Sequence, residues 1–117
     1  MFEVKLDEIL LDMGHFHYGM GEKYLRAAVT AYAANGGGVR VTKDIYPAVA
    51  ARFRSTPARV ERNIRHCIGG TWGRMPQDVR RHFFGAAWAE SPAAPPNGMY
   101  IAHLANLAAR GVDAHED

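Results

Sequence analysis

Between Thr42 and Arg74 the chain carries six arginines and a lysine against two acids. Guanidinium groups suit the two targets that nucleic acid offers, because they pair bidentately with guanine edges and also hold phosphates. Arg59, Arg62 and Arg65, together with Asn63 and His66, fall within one short stretch. Interleaved with them, Val60, Ile64, Ile68 and Trp72 recur every four residues. On a helix such residues stack along one side, and a turn of about 100° per residue puts the arginines, Asn63 and His66 away from that stripe. A helix so divided can bury its apolar side and lay its cations in the major groove of double-stranded DNA. From Arg40 to Arg81 there are ten basic residues and three acids, a surplus of seven positive charges, while the net charge is only +2. The cationic field that attracts a polyanion is therefore concentrated in this third of the chain.

A helix needs a scaffold to present it. The residues before Arg59 supply the pattern of a helix-turn-helix, with Ala50 as the small residue at the crossing and Phe53 at the corner. Arg54-Ser55-Thr56 forms the polar turn, and Val60 is the branched partner ten residues after Ala50. Ser55 or Thr56 caps the second helix, which runs over about 57–73 with Pro57 at its first position. Thr42 reads as the N-cap of the first helix, with Asp44 and Pro47 in its opening turn.

Six helices and no convincing strand are expected in all. The first spans about Glu3 to Met13, with Val4, Leu6, Ile9, Leu10 and Met13 inward and Gly14 as its stop. An aromatic and glycine-rich connector leads to a second, from about Glu22 to Ala34, which ends at Asn35 and the glycine run 36–38. After the helix-turn-helix come a short helix from Asp78 to Phe84, a proline-rich loop from Ser91 to Pro96, and a last helix capped by Asn97. That helix turns Met99, Ile101, Leu104 and Leu107 inward and ends near Arg110, and the tail from Gly111 reads as frayed.

The order of these features resembles the C-terminal DNA-binding effector domain of the sporulation-initiation response regulators, the stage 0 sporulation protein A family. The likeness rests on Ile9-Leu10 and Gly14, on Gly21, Tyr24-Leu25-Arg26 and Ala28, and on Thr42-Lys43 and Tyr46-Pro47. It is most specific at Arg59-Val60-Glu61-Arg62, Ile64-Arg65-His66, Ile68 and Trp72, and continues through Arg74, Phe84-Gly85, Pro96-Asn97 and Ile101-Ala102. The resemblance implies an all-α, six-helix domain that binds a short TGTCGAA-type element, often as tandem dimers, and regulates transcription. It further implies that Arg59, Glu61 and Arg62 face base edges, with Arg65 and His66 supporting them, and that the region around the fifth helix, here with Asp78, Arg80, Arg81 and His82, faces RNA polymerase. Asn63, Ser55, Thr56, Arg54, Arg52, Lys43 and Arg74 flank these residues and are candidate contacts to the DNA backbone. Gly69-Gly70 departs from the family's fourth helix. No part of the chain shows the strand-helix alternation of the receiver domain that such regulators carry, so one domain is expected and no phosphorylation switch within it.

Other chemistries find little support. No nucleophile, base and carboxylate share a catalytic spacing, so an enzyme is not expected. His15 and His17 form an HxH pair, but no third or fourth ligand has a suitable spacing, and neither metal nor cofactor is expected. Cys67 reads as a small core residue, and Trp72, Tyr46 and Phe53 as core aromatics. With one cysteine, no secretory signal and no long apolar run, a cytoplasmic protein that does not enter membranes is expected. The rival reading is a protein-interaction module derived from this family that no longer reads DNA.

Overall fold

Leu6, Ile9, Leu10 and Met13 are spaced i, i+3, i+4 and i+7, and all four are buried on one face of α1 (Phe2–Met13). Val4 is half exposed, although it was expected in the stripe. It lies two residues before Leu6, hence about 200° around the cylinder. Gly14 closes the helix with φ 102°, and its N–H turns back to the carbonyls of Leu10 and Leu11. The computed structural model describes residues 1–16, 19–36 and 38–111. His17, Gly37, and the tail from Val112 with its His115 lie outside the described residues, as does Tyr18 of the connector.

The helix α2 (Gly19–Ala34) starts three residues earlier than expected and buries Tyr24, Leu25, Ala27, Ala28 and Val29. A single π-helical turn, Val41–Ile45, then feeds α3 (Tyr46–Phe53). Thr42 is thus inside the turn and caps nothing. Arg40 holds the N-cap position, and the Asp44 carboxylate, inside the turn, accepts the Arg40 N–H at 2.9 Å. The helix-turn-helix is completed by α4 (Pro57–Arg74), followed by α5 (Gln77–Phe84), a four-residue helix α6 (Ala86–Ala89), and α7 (Asn97–Arg110). All six expected helices are present, α6 is additional, and the described residues contain no strand.

The last helix organises the core. Tyr100, Ile101 and Leu104 of α7 are fully buried, and the helix packs against α1, α2 and α4. Met99 was expected inward but is 51% exposed, for the same reason as Val4: it sits two residues before the inward anchor Ile101. Asn97 does not cap α7, since Pro96 holds the N-cap position. Its amide instead donates to the Tyr46 hydroxyl at 3.0 Å and to the Glu61 carbonyl at 3.2 Å, tying α7 to both helices of the hairpin.

Arg54 stands where such turns favour glycine, and it takes the left-handed conformation, φ 54° and ψ 47°. Its conformation lets the Ser55 N–H reach the Ala50 carbonyl at 2.8 Å and end α3 sharply. A non-glycine residue pays about 1–2 kcal/mol in steric strain there, partly offset because glycine would loosen the unfolded chain. Arg54→Gly is therefore expected to raise the unfolding free energy by about 0.5–1 kcal/mol, read from denaturant midpoints.

Candidate nucleic-acid interface

Contacts at its tip, its back and its flank fix α4 in its seat. Thr56 is the N-cap, its hydroxyl accepting the Arg59 N–H at 3.2 Å, and Pro57 opens the first turn. Behind the helix, Val60, Ile64, Ile68 and Trp72 are all buried, as the four-residue spacing requires. Ala50 of α3 is buried at the crossing, and Phe53 fills the corner edge-to-face against Tyr24 with ring centroids 5.3 Å apart. On the α2 side a Cβ added to Gly21 would lie 2.8 Å from the Asn63 carbonyl oxygen and 2.9 Å from the Cys67 Cβ. Only glycine lets the two helices approach this closely. Gly69 and Gly70 do not break α4, which runs without interruption to Arg74.

The opposite side of α4 is open. Arg59, Arg62, Asn63 and His66 are all exposed, and among the described residues neither Arg59 nor Arg62 makes a salt bridge. Asn63 turns its amide back to the Arg59 carbonyl at 2.8 Å. Glu61 and Arg65 differ from the rest. They form an i, i+4 ion pair of 2.8 Å along one flank, with the Glu61 side chain two-thirds buried. Arg62 and Glu61 therefore point to different sides of the rod, and Glu61 is the residue that orients Arg65. Arg52 and Arg54 are exposed at the end of α3 and in the turn, Lys43 is exposed in the π-helical turn before α3, and Arg74 is exposed at the far end of α4.

One cation counted in the basic segment is not part of this surface. Arg80 of α5 folds inward, with its guanidinium 4.6 Å above the Trp72 ring and bonded to the Trp72 carbonyl at 2.6 Å and the Ser91 carbonyl at 3.0 Å. It satisfies a carbonyl of the last turn of α4, where the helix dipole also favours a positive charge. Of the fifth-helix residues expected to face a partner, Asp78, Arg81 and His82 are exposed and Arg80 is not.

Sequence reasoning also missed a polar cluster beneath α4. His15 is completely buried. Its Nδ1 lies 2.9 Å from Glu22 Oε2, 3.3 Å from Thr71 Oγ1 and 3.7 Å from Cys67 Sγ, and its Nε2 lies 2.7 Å from the Tyr100 hydroxyl. The Cys67 thiol donates to Glu22 Oε2 at 3.1 Å, and burial together with that carboxylate pushes the thiol well above its ordinary pKa. The fold brings to His15 both Glu22, seven residues on, and Cys67, 52 residues on in α4.

These features define the class: an all-α helix-turn-helix domain whose second helix is buried on one side and cationic on the other; among the described residues no helix is long and apolar enough to cross a membrane. The chain matches the family described as Sporulation initiation factor Spo0A C terminal over residues 6–107, and it belongs to that family. The family is one of DNA-binding transcription-regulator domains without enzymatic activity.

Proposed function

We propose that this domain reads a TGTCGAA-like element in double-stranded DNA, with α4 as the helix that enters the major groove. The observation that carries the reading is the exposed pair Arg59 and Arg62, which make no salt bridge among the described residues, opposite a buried apolar stripe on a helix capped at its tip. Arg59 and Arg62 suit guanine, and Glu61 suits a cytosine amino group if it swings away from Arg65 on binding. Arg65, His66 and Asn63 support these contacts. Ser55, Thr56, Arg54, Arg52, Lys43 and Arg74 ring the helix and hold the DNA backbone. Binding as dimers on tandem sites, and contact with RNA polymerase through the exposed part of α5, complete the proposal.

Mobility shifts on matched and scrambled duplexes test it. Arg62→Ala is expected to cost about 1–3 kcal/mol on the matched site and little on the scrambled one. Arg54→Ala keeps the same backbone strain and removes only a charge, so it should weaken both DNAs alike. Equal losses on both duplexes for Arg62→Ala would remove base reading. An absence of salt-dependent DNA binding would favour the protein-interaction module instead.

A further inference from the structure

We infer that His15, Glu22 and Cys67 form a binding site for a single Zn2+ ion, which links the underside of α4 to α2 and to the segment that precedes it. The three candidate ligand atoms, Nδ1, Oε2 and Sγ, are 2.9, 3.1 and 3.7 Å apart, and all fall within 4.8 Å of one another. Tetrahedral zinc with ordinary bond lengths sets nitrogen, oxygen and sulfur ligands about 3.3–3.6 Å apart. The cluster thus needs movements of only a few tenths of an ångström. A mixed imidazole, thiolate and carboxylate set selects a borderline-soft ion over magnesium or calcium, which prefer all-oxygen shells.

The groups behind these three atoms point the same way. His15 Nε2 lies 2.7 Å from the Tyr100 hydroxyl, whose own proton can turn to Met13 Sδ at 3.9 Å. With Nδ1 on a metal ion, Nε2–H would donate to that hydroxyl and hold the ring in place, the arrangement typical of metal-bound histidine. Three atoms able to ligate a metal thus converge on one point, and a dication would displace the protons now shared among them. The missing Cβ at Gly21 allows the close approach of α2 to α4 that brings Glu22 beside Cys67. Access is available as well: Glu22, Cys67 and Thr71 line a cavity of about 380 Å3 that reaches exposed Phe16, His66 and Arg74. Water from that side can fill the fourth coordination position.

The test is titration of the chelator-treated chain with CoCl2 and then ZnCl2, followed by absorption and thermal melting. The expected result is one equivalent of Co2+ giving a thiolate-to-metal charge-transfer band, which Zn2+ displaces, with a melting temperature that rises with Zn2+ concentration. Cys67→Ser should abolish the band, and Tyr100→Phe, which preserves the buried ring, should weaken binding roughly tenfold to a hundredfold. The inference is overturned if the wild-type chain gives no such band, a result that does not depend on any variant folding. It is equally overturned if folded Cys67→Ser binds Zn2+ as tightly as the wild type, which would assign the metal to surface histidines.

Discussion

Trp72→Ala is expected to lower the unfolding free energy by about 3–5 kcal/mol, the largest loss we anticipate from any single substitution in this domain. The indole is 1% exposed and meets Phe84 and Trp88 edge-on at centroid distances of 5.3 and 6.3 Å. Its Nε1–H donates to the Ser91 carbonyl at 3.0 Å, and Arg80 covers its face. Alanine would leave a large cavity where α4, α5, α6 and the proline loop converge. It would also remove the aromatic surface on which the Arg80 guanidinium rests. Because small domains are stable by only about 5–15 kcal/mol, such a loss takes a large share of the total. Trp72→Phe should cost distinctly less, since a ring remains and the Ser91 carbonyl still accepts from Arg80. Denaturant unfolding of the two variants beside the wild type measures the difference. A loss below about 1 kcal/mol for Trp72→Ala would mean that this corner of the core collapses to fill the gap.

Much of this architecture was legible in the residues because local rules and tertiary packing agree there. The four-residue spacing from Val60 to Trp72 survives intact, since a helix that docks by one face must place its apolar side chains at that period. Thr56-Pro57 opened α4 as its chemistry demands. Legibility failed where a side chain serves a distant element in place of its neighbours. Asn97 has the residue type of a helix cap, yet its amide is more useful joining Tyr46 and the Glu61 carbonyl across the domain. Arg80 has the look of a surface cation, but a carbonyl at the end of α4 and an indole face draw it inward. The His15, Glu22 and Cys67 cluster spans residues 15 to 67, and no short motif encodes a convergence that exists only after α2 has packed on α4. Gly21 was the one available hint, a glycine near the start of a helix where nothing local asks for one.

The double variant Arg59→Ala/Arg62→Ala should abolish preference for a matched duplex while leaving general DNA affinity nearly intact. Two bidentate arginine–guanine contacts are worth about 1–3 kcal/mol of discrimination each. Their joint loss should therefore cost about 2–6 kcal/mol on the matched site, enough to bring binding down to the scrambled-site level. Both side chains are exposed and lie outside the buried stripe, so the melting temperature should scarcely move. Salt dependence separates base reading from phosphate holding. Each lost phosphate contact lowers the slope of log affinity against log salt by about 0.9. Lys43→Ala and Arg54→Ala should each flatten the slope by about that amount, whereas the Arg59/Arg62 pair should leave it nearly unchanged. If the double variant kept its site preference but lost slope, the two arginines would be phosphate clamps. Discrimination would then have to come from the Arg65–Glu61 flank, where the ion pair already holds a guanidinium in a fixed orientation.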